Sequence, residues 1–387
     1  MVALGHRSRL NCMISQKAAC RTRLISVAIT SIAICGACSA PDEARGSPAR
    51  VDAGEGSDAE PAPGDSGATT PRRVVKLSMA HRSACATFND GTAVCWGSNE
   101  YGQVGNGFTG GSYYAPAPVL NLTHAEEVVV SGNHACARLD DGTVQCWGEG
   151  FFGALGTGNT LGANVPQEVV GLSGVASIAL GGTTTGAILE DETVRVWGAD
   201  HVLGWSTLPT PVNGLENVEP FIRFGYGNCV GSGGGAALCW GPKDEPLYSF
   251  LALDAPLSSP TPVLELDEAV EGGFGFGYAC ALKARGNVVC WGENSDGKLG
   301  DGTTTDHSSP APVQSLGRAL QLSVGCKHAC ARLEDGTVWC WGSNYWGQLG
   351  IGYSYGFSDI PVRVPSLGDV VDLGVGCFAS CALRRAV

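Results

Sequence analysis

The chain has 387 residues, of which 57 are glycine, 20 are proline and 17 are cysteine, and its formal net charge is −13. That much glycine disfavours helices and favours many short strands joined by tight turns, so the composition predicts an all-β protein. The negative charge repels the phosphate backbone of nucleic acids and anionic lipid headgroups, which argues against either as a direct partner. We therefore expect no nucleic-acid partner.

The first 37 residues have the pattern of an export signal. Lys17, Arg21 and Arg23 precede an apolar run at 24–37, which is too short to span a bilayer but has the length of a signal-peptide core. The run ends in small residues before Cys38 and resembles the lipobox of bacterial lipoproteins, whose cysteine is acylated and becomes the mature N-terminus. A cysteine stands where the lipobox usually has an aliphatic residue, so a plain secretory signal cleaved nearby remains an alternative.

Residues 38–73 consist mainly of proline, glycine, alanine, serine and acidic residues, with almost nothing to bury. This composition predicts a disordered linker. The predicted organisation is a signal peptide at 1–37, a linker at 38–73 and a folded domain at 74–387. We expect an exported, monomeric protein that is held at the outer membrane or cell surface through lipidated Cys38, or is secreted if that anchor is absent.

A period of about fifty residues organises the rest of the chain. The dipeptide Trp-Gly recurs at intervals of 51, 50, 43, 51 and 50 residues, at Trp96, Trp147, Trp197, Trp240, Trp291 and Trp341. Such a period is typical of propellers or solenoids. Each repeat contains three strand-like runs, and the second and third flank Asp-Gly, which is a strong hairpin signal. A fourth short strand is predicted to follow Pro-x-Pro-Val, as at Pro116 and Pro310.

Cysteines ten residues apart lie symmetrically about these turns. If the loop ends in a left-handed Gly142, then Cys136 and Cys146 face each other in a non-hydrogen-bonded pair, within disulfide range. The same interval predicts five hairpin disulfides, which join Cys85 with Cys95, Cys136 with Cys146, Cys229 with Cys239, Cys280 with Cys290 and Cys330 with Cys340. The third repeat has Gly186 and Val196 at these positions, and the loss of both cysteines together is what a bonded pair predicts.

Three cysteines near the C-terminus remain outside the hairpin pairs. The separation of 51 residues between Cys326 and Cys377 places them at equivalent points of neighbouring repeats, which predicts an inter-repeat disulfide and leaves Cys381 free. The spacing of Cys326 from Cys330, and of Cys377 from Cys381, also fits zinc-ligand pairs. Because Cys330 already has a hairpin partner and an exported protein meets an oxidising compartment, disulfides are favoured and no metal or cofactor is expected.

The repeat resembles that of the regulator-of-chromosome-condensation family. Its signature has a Gly-x-x-His strand, Asp-Gly, a strand ending in Trp-Gly, and then Asn-x-x-Gly-Gln-Leu-Gly-x-Gly. The last element stands here as NEYGQVGNG from Asn99, NSDGKLGDG from Asn294 and NYWGQLGIG from Asn344, with a weakened copy from Gly150. The resemblance covers residues 74–387 and implies a β-propeller of about seven blades with disulfide-bridged hairpins.

The sequence departs from the family pattern in two places. The third and fourth repeats lose the Gln-Leu-Gly element, so their blades should be irregular. A seventh second strand ends at the sequence Cys381-Ala-Leu-Arg-Arg, and Val387 follows without another Asp-Gly or Trp-Gly. We therefore expect an incomplete last blade with an exposed edge, which is a hazard unless something pairs with it.

Aromatic residues occupy two neighbouring positions of the signature loop. The five candidates are Tyr101, Phe151, Phe152, Tyr345 and Trp346, and the equivalent positions of the fifth repeat hold Ser295 and Asp296. Equivalent loops project from one rim of a propeller, and aromatic residues are enriched at interface hot spots, so these residues form a candidate binding rim. The alternative is that the rings fold over and cover the ends of the blades.

Other chemistry has weaker support in the sequence. His134 and His328 occupy one repeat position and are interpreted as structural histidines. Asp296, Asp301 and Asp306 lie in a glycine-rich stretch, but their spacing does not match an EF-hand, so they are read as turn residues. The long loop from Gly241 to Pro260 offers only Lys243, Asp244, Glu245 and Asp254 as candidate catalytic groups.

The resemblance implies three classes of function. The favoured one is a non-catalytic module that binds a protein or an envelope ligand, as does a secreted family member that inhibits β-lactamases through an aromatic-rich propeller face. The second is guanine-nucleotide exchange on a small GTPase, which the export signal, the disulfides and the negative charge oppose. The third is a propeller lyase or glycosidase, and no cluster of arginines with paired carboxylates recurs across the repeats to support it.

Overall fold

The computed structural model describes most of the propeller domain and three short N-terminal strands. The described residues are 9–13, 26–27, 32–33, 72–200, 204–215, 218–223, 228–232, 237–241, 257–263 and 266–385. Most of the predicted signal and linker, including Cys38, and most of the loop from Gly241 to Pro260, including Lys243, Asp244, Glu245 and Asp254, lie outside them. Within them, no helix is long and apolar enough to cross a membrane.

The described strands form seven sheets, six of which have four antiparallel strands in chain order, and we number the sheets as blades. Blade 1 contains β4 (Val74–Ala80), β5 (Ser83–Phe88), β6 (Ala93–Ser98) and β7 (Ser112–Pro118). Blade 2 contains β8 (Ala125–Val130), β9 (His134–Leu139), β10 (Val144–Gly148) and β11 (Ala163–Glu168). Blade 3 contains β12 (Val175–Leu180), β13 (Thr184–Leu189), β14 (Val194–Asp200) and β15 (Gly204–Pro211).

The second half of the ring repeats this arrangement. Blade 4 contains β16 (Val218–Arg223), β17 (Asn228–Ser232), β18 (Ala237–Gly241) and β19 (Leu257–Val263). Blade 5 contains β20 (Ala269–Phe274), β21 (Tyr278–Lys283), β22 (Val288–Gly292) and β23 (His307–Pro312). Blade 6 contains β24 (Ala319–Val324), β25 (His328–Leu333), β26 (Val338–Ser343) and β27 (Phe357–Arg363), and blade 7 contains β28 (Val370–Val375) and β29 (Ser380–Arg384). A short 3₁₀ turn covers Phe151–Gly153.

The inner strands of the seven blades contact one another in a closed ring, with β28 packed against β4. The backbone N–H of Leu77 in blade 1 donates to the carboxylate of Asp372 in blade 7 at 2.7 Å, which joins the first and last blades. The protein is therefore an all-β propeller with bridged hairpins, as the sequence predicts.

The seventh blade has a third strand that the sequence did not predict. A strand β1 (Arg9–Met13) pairs antiparallel with β29, and two short strands, β2 (Ser26–Val27) and β3 (Ile32–Ala33), continue the same sheet. The register places Cys12 opposite Cys381. The exposed edge expected at β29 is thus covered by a segment from the range assigned to the signal peptide.

All five predicted hairpin disulfides are present, and in each of them the two Cα atoms are 4.0–4.1 Å apart. They join Cys85 with Cys95 in blade 1, Cys136 with Cys146 in blade 2, Cys229 with Cys239 in blade 4, Cys280 with Cys290 in blade 5 and Cys330 with Cys340 in blade 6. Gly142 has the left-handed φ of 75° that the predicted loop needs.

The cysteines near the C-terminus give one confirmed and one wrong prediction. The inter-blade disulfide between Cys326 and Cys377 forms, as the repeat spacing predicts. The expectation of a free Cys381 is wrong, because this residue is disulfide-bonded. The seventh repeat alone gives no reason to expect this bond, since it has no third strand of its own.

The position of the fourth strand differs from the prediction. Strand β7 includes Pro116 and Pro118, so the Pro-x-Pro segment forms the outer strand instead of preceding it. Proline suits an outer edge because no further strand needs its missing N–H. Blades 3 and 4 have four described strands each, like the other complete blades.

The core lies between blades, where the Trp-Gly tryptophans pack. The indole of Trp147 in blade 2 is fully buried and donates from Nε1 to the carbonyl oxygen of Gln103 in the signature loop of blade 1 at 2.9 Å. A Cβ at Gly105 of that loop would lie 2.7 Å from the same Nε1, so only glycine fits there. This signature loop therefore covers the tryptophan of the following blade, and the contact fixes the loop in place.

Candidate functional site

The signature loops and the turns between inner and second strands lie at the same end of the propeller. In blade 1, Ser83 at the start of β5 pairs with Gly97 at the end of β6, so the turn before Ser83 and the loop after Ser98 are neighbours. We call this end the loop face. The Asp-Gly hairpins, such as 140–143, lie at the opposite end.

A buried asparagine holds each complete signature loop. The side-chain oxygen of Asn99 accepts a hydrogen bond from the N–H of Val104 at 2.9 Å, and its amide nitrogen donates to the carbonyl oxygen of Phe108 at 3.0 Å. Asn344 makes the same pair of bonds with Leu349 and Tyr353. These bonds fix the loop backbone, so the side chains on it are presented from a rigid support.

Four of the five predicted rim residues project into solvent. Their exposed fractions are 38% for Tyr101, 60% for Phe151, 51% for Phe152 and 52% for Tyr345. Trp346 is half-buried, because its ring packs edge-on against Phe378 of blade 7 with centroids 6.0 Å apart. The rim is therefore an exposed surface at four positions, while Trp346 also serves as packing between blades 6 and 7.

Sequence reasoning missed further aromatic residues on the same loops. Phe108 and Tyr353 each stand nine residues after the loop asparagine and are 67% and 64% exposed, and Tyr355 is 67% exposed. Their common spacing from Asn99 and Asn344 was available as a signal. We define the aromatic arc as Tyr101 and Phe108 of blade 1, Phe151 and Phe152 of blade 2, Tyr345, Trp346, Tyr353 and Tyr355 of blade 6, and Phe378 of blade 7.

The loop of blade 2 presents its aromatic residues from a strained backbone. Gly150 replaces the loop asparagine, and Phe152 has a φ of 58°, a left-handed conformation that is unfavourable for a bulky residue. Strain of this kind is retained where the surroundings impose it, and it often marks functional positions. Here it holds two adjacent phenylalanine rings in solvent.

The equivalent loop of blade 5 is polar. The hydroxyl of Ser295 donates to Glu293 at 2.7 Å, and Asp296 lies 3.7 Å from the ammonium of Lys327. The buried Lys298 donates to the carbonyl oxygen of Phe276 and pairs with Glu293 at 3.2 Å. The signature loops therefore carry exposed rings in blades 1, 2 and 6 and polar side chains in blade 5.

A cavity of about 410 Å³ separates the signature loops of blades 1 and 2. Tyr101, Phe151, Glu100 and Glu149 are among the residues that line it. Glu149 is held in position by the side-chain amide of Asn133, which donates to it at 2.7 Å. Aromatic faces beside carboxylates favour a cationic side chain, through cation–π attraction and ion pairing.

The comparisons with known proteins support the repeat assignment. The family pattern described as the regulator of chromosome condensation (RCC1) repeat matches residues 141–188, 285–332 and 335–383, and a second pattern of the same description matches 126–154 and 320–348. The chain therefore contains repeats of the RCC1 type.

Several curated proteins share these RCC1 repeats. Over 241 residues the chain is 28% identical to the human E3 ubiquitin-protein ligase HERC2, covering 60% of this chain and 4% of HERC2. It is 26% identical over 257 residues to the ultraviolet-B receptor UVR8 of Arabidopsis thaliana, covering 61% of this chain and 57% of UVR8. The chain thus spans less than two thirds of either relative.

Two solved structures share the fold of this chain. Human WBSCR16 superposes with a TM-score of 0.70 at 19% identity, covering 81% of this chain and 87% of that one. Prp20p of Saccharomyces cerevisiae gives a TM-score of 0.70 at 16% identity, with 81% and 83% covered. At these identities the likeness concerns the fold.

The two RCC1-repeat histidines connect neighbouring blades. The Nε2 of His134 lies 2.8 Å from the hydroxyl of Thr185 in blade 3, and its Nδ1 lies 2.8 Å from Ser131. Burial lowers the pKa of His134 to about 4 and the pKa of His328 to about 3, so both are neutral at pH 7. Their complete burial agrees with the structural role predicted from the sequence.

The candidate calcium residues are engaged within their own loop. Asp301 accepts hydrogen bonds from Asn294 and Thr303 and lies 2.8 Å from the imidazole of His307. Asp306 accepts from the backbone N–H of Asn294 at 2.8 Å. These carboxylates therefore shape the blade 5 loop, as expected for turn residues.

Proposed function

We propose that this protein is a non-catalytic, exported propeller that binds a partner protein through the aromatic arc and is tethered at the cell envelope through Cys38. The observation that carries the proposal is the difference between the signature loops. Large rings are exposed on the signature loops of blades 1, 2 and 6, whereas the same positions of blade 5 are polar. Exposed aromatic side chains are enriched at the hot spots of protein interfaces.

A binding role for the exposed aromatic rings is supported because the fold does not depend on them. Asn99 and Asn344 fix their loops through backbone contacts, so Tyr101 and Tyr345 contribute little to the support of the loop. Prp20p of Saccharomyces cerevisiae binds Gsp1p and histones, so a propeller of this fold can present a protein-binding surface. The identity of the partner of the present protein does not follow from that comparison.

The cavity between blades 1 and 2 suggests the chemistry of the partner. The acidic residues Glu100 and Glu149 line this cavity with Tyr101 and Phe151, and the chain as a whole has a net charge of −13. A basic or aromatic-rich protein surface complements this site, and a lysine or arginine side chain fits the cavity. We therefore propose a partner whose contact surface is apolar with at least one exposed basic residue.

Site-specific photocrosslinking tests this proposal directly. A photoreactive phenylalanine analogue is introduced at Phe151, at Tyr345, at Ser295 and at Thr193 in the hairpin of blade 3 on the opposite face. Illumination of the source cells or their envelope fraction should give the same discrete adduct from Phe151 and Tyr345 only. An adduct from Thr193 alone, or equal adducts from all four positions, would contradict the proposal.

Nucleotide exchange and catalysis have less support. The disulfides of blades 1, 2, 5 and 6 are typical of an oxidising compartment, where a cytosolic GTPase is absent. Within the described residues, the side chains that could jointly hold a metal ion are His81, Cys326 and Cys377, and the two cysteines are bonded to each other. These observations favour binding as the function.

A further inference from the structure

Three consecutive blades place ligating side chains in one repeat position on the loop face. The position lies in the turn between inner and second strands, four residues before the position of the first hairpin cysteine. Blades 6, 7 and 1 hold Cys326, Cys377 and His81 there, whereas blades 2, 3 and 5 hold Gly132, Gly182 and Phe276. The sulfur atoms and one imidazole nitrogen all lie within 4.8 Å of one another.

The backbone, and not only the disulfide, brings these turns together. A side-chain carbon at Gly325 would collide with the carbonyl oxygen of Gly376, so glycine permits the close approach of blades 6 and 7. The N–H of Cys377 donates to the carbonyl oxygen of His81 at 3.0 Å. The N–H of Phe276 donates to the carbonyl oxygen of Cys326 at 2.7 Å. The three side chains therefore remain neighbours when the disulfide opens.

We propose that reduction of the Cys326–Cys377 disulfide creates a binding site for a thiophilic divalent cation, Zn²⁺, with His81 as the third ligand. Two molecules of a thiol reductant supply two electrons and two protons to this disulfide. The products are two cysteine thiols and the disulfide of the reductant. Zn²⁺ then displaces both thiol protons and binds two thiolates and the imidazole. Tetrahedral zinc bonds of about 2.0–2.3 Å require ligand atoms roughly 3.6–3.8 Å apart, which small side-chain rotations achieve from the present positions.

The surroundings fit such a site. Two thiolates and a neutral imidazole balance the charge of one Zn²⁺, and a fourth position faces the axial cavity of about 560 Å³ that His81 and Cys326 line. That cavity gives the ion and a water ligand an entry path. Cys326 is half-buried, whereas the hairpin cysteines are at most 1% exposed, so a mild reductant reaches this disulfide first.

The first measurement is the order of reduction in the full-length protein. The chain is treated with increasing amounts of a phosphine reductant, alkylated and mapped by peptide mass spectrometry. Cys326 and Cys377 should be alkylated while Cys136 and Cys146 remain bonded. If the hairpin cysteines open before or together with Cys326 and Cys377, the proposal is overturned.

The second measurement is the affinity of the mildly reduced protein for Zn²⁺ alone, by competition with a chromophoric chelator. The reduced protein should bind one equivalent of Zn²⁺. The oxidised protein and the reduced double variant Cys326→Ser with Cys377→Ser should bind none. His81→Ala should weaken binding at least about tenfold, while the control His124→Ala on the opposite face should not. Co²⁺ should give thiolate charge-transfer bands that the double serine variant lacks. Unchanged affinity in the double serine variant or in His81→Ala would overturn the three-ligand site.

Discussion

The Nε2 of His328 in blade 6 lies 2.8 Å from the hydroxyl oxygen of Ser380 in blade 7. Because His328 is completely buried, water does not replace this partner when the hydroxyl is removed. Ser380→Ala should therefore destabilise the propeller by about 1–3 kcal/mol, the usual cost of a buried polar group left unsatisfied. Urea unfolding followed by tryptophan fluorescence measures the loss. The exposed Ser112→Ala serves as a control, and equal effects of both substitutions would show that the inter-blade bond contributes nothing.

The buried histidines predict acid sensitivity in a defined pH range. Their folded pKa values of about 4 for His134 and about 3 for His328 lie below the unfolded value of about 6.5, so the unfolded chain binds more protons on acidification. Stability is then complete above pH 6.5 and falls as the pH drops towards 4, by about 2 kcal/mol for each histidine at pH 5. Unfolding midpoints measured from pH 8 to 4 test this.

Variants separate the histidines from the carboxylates in that experiment. The hydrogen bonds from Thr143, Thr193 and Thr337 lower the pKa of Asp141, Asp191 and Asp335, so the stability they contribute is lost only below about pH 4. His134→Gln with His328→Gln should flatten the profile between pH 6.5 and 4. An unchanged slope in this double variant would assign the acid sensitivity to other groups.

Blade 3 provides the natural control for the hairpin disulfides. Cys136→Gly with Cys146→Val copies Gly186 and Val196 of that blade, whose strands pair in the same register. The chain-entropy account predicts that the free energy of unfolding falls by about 2–3 kcal/mol when a closed loop of this length is opened. Unfolding under non-reducing conditions measures it, and peptide mapping of the unreduced wild type should find no free thiol at Cys136 or Cys146. A variant as stable as the wild type would show that strand pairing alone holds the hairpin.

The N-terminus of the mature protein tests the predicted lipid anchor. If Cys38 is lipidated, the exported chain should begin at an acylated Cys38, and Cys38→Ser should abolish both acylation and membrane fractionation. Residues 9–13, which pair with β29 in the full chain, are then absent from the mature blade 7. Intact-mass spectrometry of the exported protein decides this. A mature chain that retains Cys12 would exclude cleavage at Cys38 and leave β1 as a permanent part of the propeller.

The sequence predicted contacts within a repeat better than contacts between distant segments. The ten-residue cysteine interval and Asp141-Gly142 specify the hairpins because both partners lie near one turn. The pairing of β1 with β29 joins residues more than 360 positions apart, and no local sequence pattern predicts it. The free thiol expected for Cys381 was also wrong, and the seventh repeat offers no cysteine ten residues further on.

The sequence predicted those features of the candidate site that depend on local loop geometry, and it missed those that depend on contacts between blades. The loop periodicity located Tyr101, Phe151 and Tyr345, because exposure at a loop tip depends on local geometry. Trp346 is half-buried only because Phe378 of the next blade packs against it, which a single repeat does not reveal. Thr185 and Ser380 each stand in the blade that follows a buried histidine. Their hydrogen bonds to His134 and His328 could be recognised only from the inter-blade distances.

The most direct test of the central claim is the affinity of the crosslinked partner, once purified, for a variant of the aromatic arc. Tyr345→Ala with Tyr353→Ala removes two exposed rings, and Ser295→Ala with Thr303→Ser alters the equivalent positions of blade 5. Hot-spot aromatics cost about 2 kcal/mol or more when truncated, so the aromatic variant should bind roughly thirtyfold more weakly with an unchanged melting temperature. The blade 5 variant should bind like the wild type. Unchanged affinity of the aromatic variant, or a loss of binding that only accompanies early melting, would contradict the assignment of the aromatic arc as the binding face.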